Sequence, residues 1–270
     1  MNAPDTAHIP EIRIIPCLLL RQSGFVKTVK FQNPKYLGDP VNIVRIFNEK
    51  EIDEICILDI GLAGTDGGPR LDVIRRIADE CFMPASYGGG VRGAEDARNV
   101  LAAGFEKVVF NTAAALNPSV IEESSKAFGS QSIVVSMDVA TGPGGERSVM
   151  AEGGGRPVDN DPVAYARRMV DLGAGEILLN SINRDGTMEG FDLDLIGVIS
   201  RSVPVPVIAC GGARDADDLI AAIRTGGAAA AAAGSLFVFY GRLRAVLINP
   251  PGVDDLGEAW RRFDAAGKSL

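Results

Sequence analysis

Two glycine clusters and a few carboxylates are the residues of this chain whose types and spacing suit chemistry. Gly88-Gly89-Gly90 and Gly211-Gly212 each follow a short apolar run and precede an amphipathic stretch. Asn111-Thr112 and Gly234-Ser235 hold matching places after two further runs. Glycines at such turns let backbone N–H groups approach an anion, and the next helix adds its positive end. Two matched clusters predict two phosphate sites, and hence a long ligand with a phosphate at each end. Tight turns between strand and helix are the plainer use of the same glycines. Asp138 ends the apolar run Ile133–Met137. A carboxylate placed there, with its pKa raised by burial, suits general acid–base work. Asp59 and Asp185 follow other runs, although Asp185-Gly186 also reads as a turn. Lys27 lies in a segment long enough to be a lid, where its ammonium would clamp a phosphate or stay solvated.

What is missing is equally informative. The chain of 270 residues has one histidine, His8, in an extension over 1–11 that reads as loose. A Ser-His-Asp or Cys-His dyad and a multi-histidine zinc site are therefore excluded. No cofactor and no metal is expected. The four cysteines form no C-x-x-C pair, and Cys17, Cys56 and Cys210 sit in apolar runs, where buried thiols pack as small hydrophobes. A net charge of −8 argues against a nucleic-acid reader. There is no membrane-length apolar run and no secretory signal, so a cytoplasmic location is expected.

Those residues need elements to position them. Candidate strands are Ile12–Leu18, Ile55–Asp59, Pro84–Tyr87, Lys107–Phe110, Ser132–Asp138, Glu176–Asn180, Pro206–Cys210 and Ala228–Ala232. Helical patterns cover Pro40–Lys50, Ala94–Ala103, Pro118–Phe128, Pro162–Leu172 and Ala216–Thr225. Most open on Asp or Asn and close before glycine. Continuous apolar strands alternating with helices predict an α/β protein with a parallel sheet, and eight such units favour a (βα)8 TIM barrel over an open sheet. An internal repeat decides for the barrel. Pro84–Asp96 resembles Pro206–Asp218, and Glu54-Ile-Cys-Ile resembles Glu176-Ile-Leu-Leu at the same offset. The chain reads as one barrel domain over 12–270, with a two-fold repeat of half-barrels at about 12–130 and 131–250. Arg13, Glu54, Lys107 and Glu176 stand at strand starts, where four alternating charges would form a paired ring on the barrel floor. Gly142–Gly145 and Gly153–Gly155 read as a hairpin over the mouth.

These segments resemble a known family. Arg13-Ile-Ile-Pro-Cys-Leu, Gly38-Asp39-Pro40, Gly88-Gly89-Gly90, Asn111-Thr112-Ala113, Asp185-Gly186-Thr187 and Gly211-Gly212-Ala213 are similar to the cyclase subunit of imidazole glycerol phosphate synthase, over about residues 12–250. The resemblance implies a half-barrel duplication that binds a bis-phosphorylated ribulosyl-carboxamide. It also implies a glutaminase partner docked at the floor as a heterodimer, sending ammonia through the barrel. On that resemblance the floor ring is an ammonia gate. Phosphate contacts fall on Gly90, Asn111 and Thr112 in one half, and on Gly186, Gly212, Gly234 and Ser235 in the other. Asp59, Asn180 and Asp185 become further ligand contacts, and Asp138 the catalytic carboxylate, helped by Lys27.

The family's other catalytic aspartate falls on Leu19, and its expected threonine falls on Asn180. Cys17-Leu-Leu-Leu, Lys27-Thr-Val-Lys-Phe, Asn33-Pro-Lys-Tyr and Gly234-Ser-Leu-Phe-Val-Phe-Tyr-Gly resemble a diverged branch associated with surface-polysaccharide synthesis and sugar amidination. There the barrel is expected to pass ammonia toward a sugar amidotransferase. Three readings follow: an ammonia-handling subunit of that branch, a working cyclase of histidine biosynthesis, and a non-catalytic conduit or activator.

Overall fold

The computed structural model describes residues 12–267, and the extension carrying His8 lies outside the described residues. The barrel strands are β1 (Arg13–Arg21), β2 (Ile55–Asp59), β3 (Ala85–Gly88), β4 (Lys107–Phe110), β5 (Ile133–Thr141), β6 (Glu176–Ser181), β7 (Val207–Cys210) and β8 (Ala230–Ala233). Each pairs in parallel with its chain neighbours, and β1 pairs with β8, so the sheet closes without an edge. The fold is a (βα)8 TIM barrel.

Helices cover the outside. Pro40–Glu49, Pro162–Asp171 and Ala216–Arg224 begin as their sequences dictate: Asp39, Asp161 and Asp215 accept hydrogen bonds from the first-turn N–H groups. The expected Asn117 cap is corrected. Asn117 closes the short helix Thr112–Leu116, and the next helix starts at Ser119 behind Pro118. Leu71–Ala78, Ala94–Ala102 and Leu193–Ser200 complete the ring of helices. Val253–Gly267 packs on Ala216–Arg224 through Arg262–Asp217 at 2.8 Å, Arg224–Asp264 at 2.9 Å, and Arg224 stacked on Trp260.

Two apolar layers hold this together. The larger lies between sheet and helices and includes Phe47, Ile57, Tyr87, Phe110, Tyr165, Leu195 and Phe237. The smaller fills the bore with Ile15, Cys17, Cys56, Val109, Val134, Leu178, Ile208, Cys210, Ala230 and Ala232. The three cysteines expected to pack as hydrophobes are buried and free. Alanine throughout β8 keeps its wall of the bore thin.

Two hairpins rise from the mouth. Gly24–Val29 continues antiparallel from β1 and pairs with Gln32–Gly38. Arg147–Ala151 continues from β5 and pairs with Arg156–Asp159. The segment carrying Lys27 is therefore ordered strand, where the sequence alone reads as a lid loop. No helix among the described residues is long and apolar enough to cross a membrane.

Candidate active site

The mouth of the barrel holds a cavity of about 910 Å³, lined among others by Leu19, Lys27, Gly90, Asn111, Thr112, Asp138, Asn180, Asp185 and Gly234. Strand ends and the first hairpin thus bring most of the expected residues to one place, at the end where barrel chemistry occurs.

Asp138, on β5, is 8% exposed. Asn111 Nδ2 donates to its Oδ2 at 3.0 Å. Burial, together with the Asp185 carboxylate, pushes Asp138 up to about 7, against the opposing pull of its amide and hydroxyl donors. That value suits a group that both gives and takes a proton near neutrality.

Asp185 is held differently. Lys27 Nζ donates to its Oδ1 at 2.8 Å, and Thr28 Oγ1 donates to Oδ2 at 3.3 Å. Both partners are buried, so Lys27 is held as the counter-ion of Asp185 at the wall of the cavity, and it is not solvated. The loop after β6 is pinned on both sides. Lys30 N–H donates to Asp185 O at 2.8 Å, and Arg244 donates to the carbonyls of Gly186 and Thr187.

Asp59 also lines the mouth cavity, and its carboxylate is engaged within the protein. Its Oδ1 accepts from Gly61 N–H at 3.0 Å, its Oδ2 accepts from Arg70 at 2.6 and 2.8 Å, and its side chain is fully enclosed. It ties β2 to the loop that follows. Arg70, the partner the sequence reading missed, lies eleven residues on in a segment with no periodic signal.

Backbone cradles flank this centre. Gly212 has φ +119°, and a Cβ there would run into Gly190 O, while Gly190 N–H donates to Gly212 O at 2.9 Å. Only glycine fits that approach. Gly186, Gly211, Gly212, Gly234 and Ser235 surround a small recess beside Lys27 and Asp185. The buried Ser235 hydroxyl in that recess has no hydrogen-bond partner. On the opposite side, Gly90 at φ +68° packs within 2.9 Å of the Gly67 carbonyl for any added Cβ. The Thr112 hydroxyl is already engaged: it accepts from Glu152 N–H at 3.0 Å and donates to Asn111 Oδ1. It therefore locks the second hairpin onto the mouth.

The four floor charges meet as a ring. Arg13 contacts Glu54 at 2.6 Å and Glu176 at 3.0 Å, while Lys107 contacts the same two carboxylates at 3.3 and 2.9 Å. Above the ring lies a cavity of about 10 Å³ between Ile15, Cys56, Ser86, Val109, Val134 and Leu178. It has room for about one water-sized molecule. Val109 lines this cavity and the mouth cavity alike.

A family model described as histidine biosynthesis protein matches residues 13–244. The chain is 50% identical over 244 residues to a Pseudomonas aeruginosa protein provisionally named imidazole glycerol phosphate synthase subunit hisF2, covering 90% of this chain and 97% of the relative. A Leptospira interrogans protein with the corresponding provisional HisF name is 43% identical over 90% of this chain and 96% of its own. A Vibrio vulnificus protein provisionally named subunit hisF3 is 43% identical over 92% and 95%. By these matches the chain belongs to the histidine biosynthesis protein family, as a close relative of HisF-named synthase subunits.

Proposed function

We propose that this chain is an ammonia-receiving synthase subunit. A glutaminase subunit docks at the floor to form a heterodimer. Ammonia enters through the ring of Arg13, Glu54, Lys107 and Glu176, rises through the bore, and meets a phosphorylated small molecule at the mouth. The observation that carries this reading is the stacking of a closed charge ring, a water-sized cavity and a large mouth cavity along one bore. The paired ring excludes water when shut, and the apolar wall above it accepts a small neutral molecule and repels ions.

The phosphate part of the proposal is supported by the glycine cradle and the orphaned Ser235 hydroxyl within it. A phosphate oxygen would supply the missing partner. Leu19, where the resemblance expects a carboxylate, supports placing the chain in the branch that serves sugar amidination in surface-polysaccharide synthesis, with the ammonia consumed by a sugar amidotransferase. A working cyclase is the second reading. The observation favouring it is Asp138, which is buried and titrates near neutrality as a general acid–base would.

Three measurements test the proposal. Calorimetry with ribulose 1,5-bisphosphate as a two-phosphate probe should show binding, weakened at least about tenfold by Gly212→Ala, since the cradle's backbone must move to admit a Cβ. Equal affinity in the two proteins would remove Gly212 from the site. At the floor, Lys107→Ala leaves Glu54 and Glu176 with Arg13 as their one ring cation. Urea unfolding should show a loss of roughly 1–3 kcal/mol, since part of the ring is solvated. Transfer of glutamine-derived ammonia from the glutaminase to the mouth should also fall. Intact coupling in Lys107→Ala would take Lys107 out of the gate.

A further inference from the structure

We propose that Arg244 is the positioning residue of the phosphate cradle in the second half of the barrel. It holds the loop after β6 so that the backbone N–H groups of Gly186 and Met188 stay open for an anion. The proposal rests on the reading that this cradle binds phosphate, and it names the side chain that keeps the cradle in shape.

Three successive carbonyls of that loop are held from outside. Asp185 O accepts from Lys30 N–H at 2.8 Å. Gly186 O accepts from Arg244 Nη1 at 3.3 Å, and Thr187 O accepts from Arg244 Nη2 at 3.0 Å. In a trans peptide the N–H points opposite to the C=O. Each bond therefore turns the next N–H, of Gly186, Thr187 and Met188 in order, away from its holder. Thr187 N–H closes a turn on Arg184 O at 3.1 Å. The N–H groups of Gly186 and Met188 have no acceptor among the described residues. Gly186 is buried, and both residues line the recess with the orphaned Ser235 hydroxyl. A buried N–H without a partner is rare. Gly186 at φ +72° and Met188 at φ +61° flank Thr187, the alternation of backbone hand that gathers N–H groups into an anion-binding concavity.

Arg244 is itself built into place. It lies in a third hairpin, where Phe239–Tyr240 pairs with Ala245–Val246, and it adopts φ +48°, uncommon for such a side chain. Its carbonyl accepts from Lys35 Nζ at 3.1 Å, and the same ammonium lies 5.0 Å over the Phe239 ring. The arm of the first hairpin thus fixes Arg244, and Arg244 fixes the loop. Among the described residues no carboxylate pairs with Arg244, so its charge adds to the field at the recess, where Asp185 already neutralises Lys27. The first half shows the same turn without this clamp. Gly64, the repeat partner of Gly186, has φ +69°, and Thr65 N–H closes on Leu62 O at 3.1 Å. Among the described residues no guanidinium holds the carbonyls of Gly64 and Thr65.

The test titrates inorganic phosphate into the full chain labelled with nitrogen-15 at glycine. It follows the amide signals of Gly186 and Gly212 in one half, and of Gly64 and Gly90 in the other. In the unmodified chain both sets should move saturably. In Arg244→Ala the midpoint for Gly186 and Gly212 should rise by about tenfold or more, because the loop must be ordered at the moment of binding. Gly64 and Gly90 should keep their midpoint. Arg244→Lys is the second variant if the first folds poorly. It should weaken the same set, because one ammonium does not present the planar fork that holds two adjacent carbonyls. An unchanged midpoint for Gly186 and Gly212 in either variant, or an equal rise in both sets, would overturn the proposal. Signals that ignore phosphate in the unmodified chain would overturn the cradle itself, so the two failures are distinct.

Discussion

Leu19→Asp should raise cyclisation of the bis-phosphorylated ribulosyl-carboxamide substrate, with ammonium salts as nitrogen source, by about 10²–10⁴-fold over the unmodified chain. The range is what one positioned proton-transfer group contributes. Leu19 lies on β1, pairs in register with Leu58 of β2 and Val26 of the first hairpin, and lines the same cavity as Asp138. A leucine there neither gives nor accepts a proton, so of the two carboxylates that the resemblance implies only Asp138 is present. The introduced carboxylate would enter a half-buried site with Lys27 on the adjoining hairpin wall, which favours its ionised form. Steady-state turnover of both proteins decides the matter. If the unmodified chain already cyclises as fast as the variant, Leu19 does not mark a changed function and the working-cyclase reading replaces ours.

The parts of this molecule visible in the sequence are those set by local chemistry. Asp39, Asp161 and Asp215 announce their helices because a short acceptor side chain at that position has one effective use. The repeated glycine turns, together with the repeat of Glu54 and Glu176, place the mouth and the floor before any coordinates. Other elements are harder to read. Leu71–Ala78 begins at Arg70, which makes no side-chain cap. Leu193–Ser200 does open on such a cap, since Asp192 accepts from Leu195 N–H, but it is apolar almost all round and shows no stripe to read. The arm Gln32–Gly38 is exposed on most of its length and is held by pairing with Gly24–Val29.

Site residues divide in the same way. Asp138 was legible because it ends an apolar strand. Its environment was not, because it depends on partners far along the chain. Lys27 and Asp185 are 158 residues apart, and closure of the barrel is what makes them a buried pair. The same closure gives Lys27 a buried partner where the sequence left it clamping a phosphate or solvated. Asp59 illustrates the converse: its position after β2 is right for a ligand contact, but Arg70 takes up its charge. Position along a strand predicts which side chains reach the mouth, while the competition among them for partners decides which remain open for chemistry.

That competition leaves Asp138 at a disadvantage, and the cost is measurable. Its carboxyl titrates at about 7 in the folded chain against an ordinary value of 3.8. Between those two values the folded state holds a proton that the unfolded state has released. Stability therefore falls as pH rises through that window, and above it the buried charge opposes folding in full. Asp138→Asn removes the charge while leaving an oxygen to accept from Asn111 Nδ2. The variant should be more stable than the unmodified chain at pH 8 by a few kcal/mol, with about 4 as the upper bound. The advantage should shrink steadily toward pH 4, where the native carboxyl is neutral as well. Urea unfolding of the two proteins across this range reads the difference directly. A constant difference, or a variant that is weaker at pH 8, would mean that the protein satisfies the ionised carboxylate after all. On the proposed function that cost is offset by what the charge transfers, and so we place Asp138, and not the better-paired Asp185 or Asp59, at the centre of the site.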